Sequence, residues 1–422
     1  YVLMFVKMKK KSNWNIKPTK FAVNTINPIR KVIENLSVEP NPNKSFIALS
    51  IGDPTTYGNL KPCDEIIEAM VESIKSNENN GYFPSTGAEN SRKAVAEYCS
   101  VPNAMLQAED IFLTSGCSHA LDMCIALLAN PGDNILIPRP GFPLYKTLAF
   151  GYGIEVKEYD LDPDKNWQID LSHLESLIDS KTVAILYNNP SNPCGSVFSE
   201  QHIRDLLEVA ERHCLPIIAD EIYENMVFSG EKFLPIASLT TEVPVLSCRG
   251  TTKRFLIPGY RLGWIQMHDR HCRFGPQVRK SLTQLCQRIM GANSIVQGAL
   301  PTILKRTPEH FYDMSVKIVQ ENALFVYNTF VTVPGLSPIK PAGAMYIMVG
   351  VDMRCFPSFK NDMEFIERIV SEESVFCLPG AVFNFPNYFR IVLTLPQELT
   401  KEACLRIAEF CKRYYVCYDL KK

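Results

Sequence analysis

The feature that most constrains the fold is a run of short apolar segments alternating with amphipathic helical segments between residues 110 and 250. The apolar segments are continuous rather than alternating, which is typical of strands buried on both faces. This rhythm predicts an α/β fold with a mostly parallel sheet covered by helices. We predict strands at 110–114, 134–137, 154–159, 182–187, 215–219 and 243–246, with helices at 115–128, 170–178 and 199–212.

The pattern changes on either side of this region. Before it, residues 9–42 are polar and punctuated by proline, with one short helix predicted at 29–36. After it, a helical tract at 277–330, broken at Pro301 and near 307–308, leads into a compact α+β end. We predict an N-terminal arm (1–48), a large domain (49–330) and a small domain (331–422) that part of the N-terminal segment joins in space. Further strands are predicted at 45–51, 345–349 and 389–393, and further helices at 64–75, 91–99, 362–373 and 400–411.

The composition is that of an ordinary globular protein. Forty-four basic and 45 acidic residues give a net charge of −1, which favours neither nucleic acid nor an anionic membrane as a partner. No apolar run approaches the ~20 residues that span a bilayer. The 14 cysteines show no metal-type spacing, so we predict no metal site and free thiols in a reducing compartment, the cytosol first and the mitochondrion left open. Residues 1–8 have the wrong order for a signal peptide and are interpreted as a processed or added end.

One lysine and one arginine follow the last apolar segment of this region. Lys253 lies in a turn of small residues, and Arg261 follows beyond a Pro-Gly bend. A lysine at the mouth of a sheet can lose its proton by desolvation and form a Schiff base with an aldehyde, whereas an arginine keeps its charge and suits a phosphate. An aldehyde and a phosphate on one molecule suggest pyridoxal 5′-phosphate, although most such side chains merely solvate a surface.

Polar and aromatic residues also follow the other predicted strands, where open α/β sheets bind ligands. Small residues at 115–118 open a helix, and such a start offers free N–H groups to a phosphate. Phe142 could stack on a flat ring, Asn192 lies between two prolines, and Asp220 ends an apolar strand with Tyr223 close behind. Alone, each has a plainer interpretation: an N-cap, a core aromatic, a turn or a paired carboxylate. Together they match what pyridoxal phosphate needs in one pocket.

With these motifs the chain resembles the fold-type I pyridoxal-phosphate-dependent aminotransferases from Asn27 onward. The resemblance implies a large domain with a mostly parallel, seven-stranded sheet and a smaller α+β domain. The matching motifs are Asn-Pro-Ile-Arg at 27–30, and the segments 49–55, 80–82, 113–118, 138–142, 188–195, 219–223, 258–264 and 343–346, with Lys253 and Arg390.

The resemblance also implies a role for each residue around the cofactor ring. Lys253 would be the Schiff-base lysine and then the base that moves the substrate proton. Asp220 would pair with the ring nitrogen, while Tyr223 and Asn192 would bond the ring oxygen and Phe142 would stack on the ring.

Two further groups of residues follow from the resemblance. Arg390 would bind the substrate carboxylate, with Asn192 and the backbone of Gly52 nearby; its plainer interpretation is a surface charge at a strand edge. The phosphate group would be held by Ser115, Gly116, Cys117 and Arg261, helped by Tyr82 of the partner subunit. A site shared between subunits implies a homodimer, with the N-terminal arm crossing to the partner.

Two positions depart from the pattern of the family. Many relatives carry a hydroxyl residue where this chain has Gly250, so one phosphate contact would be missing or replaced by Thr251 or Thr252. The segment 290–294, near the expected dimer contact, is also atypical.

The resemblance implies transfer of an amino group from an aromatic amino acid, first of all L-tyrosine, to 2-oxoglutarate through pyridoxamine phosphate. The alternatives are a β-eliminating C–S lyase, an aminotransferase of broader range, and an inert scaffold or nucleotide-binding protein. No Gly-x-Gly-x-x-Gly follows a predicted strand, which disfavours the last of these. The donor preference is not readable from the sequence, because the walls of the pocket come from several loops.

Overall fold

The computed structural model describes residue 14 and residues 16–35 and 38–417. The predictions for residues 1–8 therefore lie outside the described residues. The helices are α1 (Lys20–Asn24), α2 (Pro28–Asn35), α3 (Asp64–Ser76), α4 (Glu89–Cys99), α5 (Cys117–Leu128), α6 (Leu144–Gly151), α7 (Leu171–Ser176), α8 (Glu200–Arg212), α9 (Gly275–Cys286), α10 (Ser294–Arg306), α11 (Glu309–Phe330), α12 (Asp362–Glu373) and α13 (Gln397–Tyr414).

Strands form one large sheet and two smaller ones. They are β1 (Ile47–Ala48), β2 (Ile111–Thr114), β3 (Asn134–Arg139), β4 (Glu155–Asp162), β5 (Gln168–Ile169), β6 (Thr182–Asn188), β7 (Ile217–Asp220), β8 (Val245–Gly250), β9 (Gly263–His268), β10 (Leu336–Pro338), β11 (Tyr346–Val351), β12 (Val375–Phe376), β13 (Leu378–Pro379) and β14 (Tyr388–Val392).

The large sheet has the order β2-β9-β8-β7-β6-β3-β4-β5. Its centre, from β8 to β4, is parallel, while β9 runs antiparallel between β2 and β8. The eighth strand, β5, is a two-residue antiparallel addition at the edge next to β4. The predicted α/β class, with its mostly parallel sheet, is confirmed.

Burial on both faces explains why the strands are continuously apolar. In β7, Ile218 packs into the core cluster that contains α5, whereas Ile217 and Ala219 pack into the cluster that contains α8. Successive strand residues point to opposite faces, so a sheet covered twice needs an apolar residue at every position. The polar residues at the ends of these strands are then the candidates for ligand binding and catalysis.

The C-terminal part contains a four-stranded antiparallel sheet of order β10-β11-β14-β13. Strand β1 pairs in parallel with β12, with Ile47 opposite Val375, so the start of the chain is tied to this part. The helix α11 ends at Phe330, where the sequence predicts a boundary. The domain limits themselves stay predictions.

Several predicted elements differ from the structure. The strand predicted at 45–51 is only the two residues of β1, and the sequence analysis missed α1, α6 and β9. The predicted break at Pro301 is wrong, because this proline lies inside α10. The missing N–H of Pro301 leaves the carbonyl of Gln297 without its helical donor, and the Ser91 hydroxyl donates to that carbonyl at 2.7 Å instead. The break lies earlier, between α9 and α10, while the break at 307–308 is confirmed.

The described residues contain no helix that is long and apolar enough to cross a bilayer. None of the 14 cysteines, all of which lie in the described part of the chain, forms a disulfide. The described part of the arm packs on its own chain: the Thr147 hydroxyl of α6 donates to the carbonyl of Ile26 at 2.8 Å, and Phe21 contacts Tyr152.

Candidate active site

A cavity of about 440 Å³ opens at the carboxyl ends of the parallel strands, between the arm, the large sheet and the C-terminal sheet. Most of the predicted site residues line it, although they come from separate loops. The predicted residues that line it are Gly52, Cys117, Phe142, Asn192, Asp220, Tyr223, Lys253, Arg261 and Arg390.

Asp220 supplies a buried carboxylate at the end of β7. It accepts a 2.7 Å hydrogen bond from the phenol of Tyr145 and a 3.3 Å bond from the backbone N–H of Ile222, and the Cys117 thiol lies 3.8 Å away. Burial raises the pKa of Asp220 to about 6 although these hydrogen bonds oppose the shift. The carboxylate thus has donors but no positive partner among the described residues, so a cationic ligand atom would stabilise its charge.

Lys253 brings an amine into the same cavity. It lies in the turn that follows β8, and its Nζ donates a 2.6 Å hydrogen bond to the carbonyl of Gly52. The amine also lies 5.9 Å from the centre of the Tyr223 ring. A neutral carbonyl partner leaves the amine free to exchange that contact for a ligand.

The hydroxyl group of Tyr223 lies against the hydroxyl group of a second phenol. Its oxygen lies 2.7 Å from that of Tyr346, and the two rings meet edge to face. Burial raises the pKa of Tyr223, so it is present as a neutral phenol. The sequence analysis included Tyr346 in a family motif but gave it no role; nothing local to that motif predicts a contact with a residue so distant in the chain.

Arg390 is a buried cation in the middle of the C-terminal sheet, paired on both sides by β11 and β13. Its side chain donates to Asn192 Oδ1 at 2.8 Å and to the carbonyl of Ser50 at 2.9 Å, and it stacks on Tyr346 at 4.4 Å. The Nε atom has no hydrogen-bond partner, and no carboxylate of the described residues pairs with this arginine. The interpretation as a surface charge is wrong; a buried guanidinium with a free donor fits an anionic ligand.

The start of α5 and Arg261 form a second cationic feature. Gly116, with φ of +80°, is the N-cap of α5, and a Cβ on it would overlap the guanidinium of Arg261. That guanidinium donates to the carbonyls of Ser115 and Pro258 and is otherwise exposed. The N–H groups of Ser115 and Gly116 are bonded to His119 Nδ1 and to the carbonyl of Thr114. The first N–H groups of α5 that follow them lack a helical acceptor, and beside an arginine they form a cradle that suits an anion.

The structure explains why this chain has a glycine at position 250. A Cβ there would lie 2.8 Å from both the Cα of Gly263 and the carbonyl oxygen of Leu262, because β8 and β9 pack closely. Of the two threonines considered as substitutes, Thr251 is buried and donates to Leu262, whereas Thr252 lines the cavity. In the other atypical segment, Asn293 caps α10 by accepting from the N–H of Val296.

Three predicted residues, Tyr82, Ser115 and Gly116, do not line the cavity in the single chain. Tyr82 is 86% exposed. Ser115 and Gly116 flank the cavity through the α5 cradle rather than lining it. The sequence analysis gave no role to Tyr145, Tyr346, Ser50 and the arm residues Ile29 and Arg30. All of these except Tyr145 lie within the matching family motifs, and Tyr145 follows closely after Phe142.

The fold and the cavity define an α/β enzyme in which a lysine amine, a buried carboxylate and the guanidinium groups of Arg261 and Arg390 line one cavity at the carboxyl ends of a mostly parallel sheet. Residues 44–407 match the family model of aminotransferase class I and II. The chain belongs to this family.

Named relatives agree with this assignment. The chain is 54% identical to tyrosine aminotransferase of Mus musculus, covering 97% of this chain and 90% of the relative, and 54% identical to that of Homo sapiens, covering 98% and 91%. It is also similar to the crystal structure of tyrosine aminotransferase from Leishmania infantum, with a TM-score of 0.92 and 37% identity over 96% of this chain and 100% of that one.

Proposed function

We propose that this chain is a pyridoxal-phosphate-dependent aminotransferase that moves the amino group of an aromatic amino acid, first of all L-tyrosine, to 2-oxoglutarate. The products would be 4-hydroxyphenylpyruvate and glutamate. The observation that carries the proposal is that Lys253, Asp220 and Arg390 share one cavity. The choice of an aromatic donor rests on the relatives that are 54% identical and named tyrosine aminotransferase.

The residues present fit pyridoxal phosphate. Asp220 is a buried carboxylate that lacks a cation, which suits a protonated ring nitrogen. The cradle of Gly116 and Arg261 suits a phosphate, and only a residue without Cβ leaves it open. Tyr223 and Phe142 line the space between these two ends. When bound, the cofactor would supply an electron sink for the pair released from the substrate Cα–H bond.

Lys253 is the one residue of this set that can move a proton at the substrate. Its Nζ would hold the cofactor covalently and, once released, accept the proton from the substrate Cα. The carbonyl of Gly52 holds this amine at the cavity wall. Tyr223 keeps a neutral hydroxyl ready to donate, since burial raises the pKa of that phenol.

Arg390 orients the substrate. Nη1 and Nη2 each donate one N–H group, to Asn192 and Ser50, so the remaining N–H groups of the guanidinium can donate to a carboxylate. Because the guanidinium is held before the substrate arrives, little conformational entropy is lost on binding. Both the amino acid and the oxo acid carry such a carboxylate, so one residue serves both halves of the reaction.

The proposal includes a homodimer with shared active sites. The guanidinium of Arg261 is exposed in the single chain, and Tyr82 of the partner subunit would complete this end of the cavity. The arm leaves large apolar side chains exposed, which a partner would cover. These are Trp14 (95%), Ile16 (80%), Phe21 (48%), Val23 (54%) and Ile26 (54%).

The test is an assay of purified, cofactor-loaded protein with L-tyrosine and 2-oxoglutarate. We expect glutamate to form in proportion to the oxo acid consumed, and a panel of phenylalanine, tryptophan and kynurenine would rank the donors. A K253A variant of the same chain is the matched control and should be inactive. The β-eliminating lyase is not favoured; pyruvate and ammonia from cysteine conjugates, without amino transfer to any oxo acid, would overturn the proposal.

A further inference from the structure

Directly behind the cavity, one buried arginine holds two buried glutamates. The side chain of Arg249, in β8, is 3% exposed and those of Glu221 and Glu224 are 0% and 3%. Its Nε and Nη2 donate to Glu221 Oε2 at 2.9 and 2.6 Å, and its Nη1 donates to Glu224 Oε2 at 2.5 Å. Burial alone would lower the pKa of Arg249, but the two carboxylates raise it. The cluster is therefore charged and fully removed from water.

The position of this cluster in the chain links it to the site. Glu221 directly follows Asp220, and Glu224 directly follows Tyr223. Arg249 lies at the end of β8, in the strand that leads into Lys253. One guanidinium therefore joins the segment that carries the carboxylate and the phenol to the segment that carries the amine. None of the three charged residues lines the cavity.

Of the two glutamates, Glu221 is anchored further, whereas Glu224 Oε1 is buried without a hydrogen-bond partner. Glu221 Oε1 accepts from the backbone N–H of Ile236 at 3.0 Å, and the guanidinium lies 5.5 Å from the centre of the Phe233 ring. On the other side of Lys253, Arg254 donates to the Tyr98 hydroxyl at 2.7 Å. The backbone around Lys253 is thus held by a buried arginine before it and a partly buried arginine after it.

Stability alone does not account for such a cluster. Desolvating three charges costs several kcal/mol per ion before their attraction is counted, and apolar residues of the same volume often stabilise a fold better. The planar guanidinium adds geometric specificity, because it fixes two carboxylates at once in one plane. We propose that Arg249 is a positioning residue that, through Glu221 and Glu224, sets Asp220 and Tyr223 relative to Lys253. The effect of this positioning on catalysis rests on the proposed function.

Two variants test this inference. In R249K a compact ammonium keeps the charge but cannot bond both glutamates as a fork. In the triple variant E221Q/E224Q/R249M no buried charge is left unpaired, so the fold should regain stability while the fixed geometry is lost. The control is E373Q, which disturbs another buried carboxylate, paired with Lys44 and Arg413 and absent from the cavity lining.

We expect R249K and the triple variant to bind pyridoxal phosphate about tenfold more weakly, the loss from one misplaced charge-assisted hydrogen bond. The absorbance spectrum of the bound cofactor should change as well. The E373Q variant should lose thermal stability but keep the affinity and the spectrum. Parental affinity and spectrum in R249K or in the triple variant would overturn the inference.

A second readout does not need the cofactor. In the cofactor-free protein, R249K should speed amide hydrogen exchange in both 220–224 and 250–254, whereas E373Q should not. If the parent protein binds no pyridoxal phosphate, the proposed function fails and this readout alone decides the inference. Unchanged exchange in both segments would then overturn it.

Discussion

The phenol of Tyr145, in helix α6, donates a 2.7 Å hydrogen bond to the carboxylate of Asp220, at the end of strand β7. This bond supplies a hydrogen-bond donor to the carboxylate but no positive charge. A buried acid that is hydrogen-bonded but unpaired is costly to the fold, and such a cost is commonly retained where a ligand makes use of it.

The first prediction concerns Asp220 and pH. Because the folded state raises the pKa of this carboxyl from 3.8 to about 6, folding favours the neutral acid. The neutral carboxyl contributes its full share to the free energy of unfolding below about pH 4. This contribution, about 3 kcal/mol, is lost as the pH rises through 6. Replacing Asp220 by Asn should therefore stabilise the cofactor-free protein progressively between pH 4 and pH 8.

Urea unfolding of the cofactor-free protein across this pH range measures that difference. The exposed Asp313→Asn variant is the control and should follow the parent at every pH. A difference between D220N and the parent that does not grow with pH would contradict the assignment of a raised pKa to Asp220.

The second prediction concerns the anion cradle. Gly116→Ala places a Cβ against Arg261 at a backbone conformation that is nearly restricted to glycine, which should cost about 1–3 kcal/mol of stability. It should also weaken binding of pyridoxal phosphate more than binding of pyridoxal. The control is Gly230→Ala, which also has a positive φ but has no neighbouring atom within 4 Å. Equal losses of both ligands in G116A would show that this turn does not bind the phosphate.

The third prediction concerns the departure at Gly250. Introducing serine, a hydroxyl residue of the kind that the family resemblance implies at this position, should destabilise this chain by about 1–3 kcal/mol, because its Cβ would press on the backbone of Leu262 and Gly263. The comparison is Gly259→Ser, where a Cβ meets no atom within 4 Å and the change should stay within about 0.5 kcal/mol. Thermal unfolding measures both. A stable G250S protein with tighter cofactor binding would mean that β8 and β9 separate easily.

The fourth prediction concerns Arg390. A compact lysine ammonium lacks the planar fork that bonds Asn192, Ser50 and a substrate carboxylate from fixed directions. The value of kcat/KM should therefore fall for both the amino acid and the oxo acid, which corresponds to a loss of about 2–5 kcal/mol of transition-state binding. The dissociation constant of the cofactor should not change. The control is Arg279→Lys, at a partly exposed arginine that does not line the cavity. A loss confined to one of the two substrates would contradict a shared carboxylate site.

The sequence predicted the large sheet and most of the cavity because both depend on local signals. Continuous apolar runs mark doubly buried strands, and the polar residues that follow them collect at one edge by topology. Asp220 and Lys253 were predicted in this way. The antiparallel strand β9 was missed because it follows the Pro-Gly bend rather than a helix, so the alternation of strands and helices does not predict it.

Contacts between distant segments could not be predicted from the sequence. Tyr346 meets Tyr223 only because the C-terminal sheet packs over the end of β7, and Pro301 is tolerated in α10 only because Ser91 supplies a donor from another helix. No periodicity encodes such pairs. The contribution of Tyr82 depends on a second chain and stays a prediction.

The central claim is that the amine of Lys253 binds pyridoxal phosphate covalently, and trapping this bond tests it most directly. Protein loaded with the cofactor is reduced with borohydride, digested and analysed by mass spectrometry, with the cofactor-free protein as the reference. We predict the cofactor mass on the peptide that contains Lys253 and on no other lysine. Attachment elsewhere, or a protein that stays colourless and unmodified, would contradict the account.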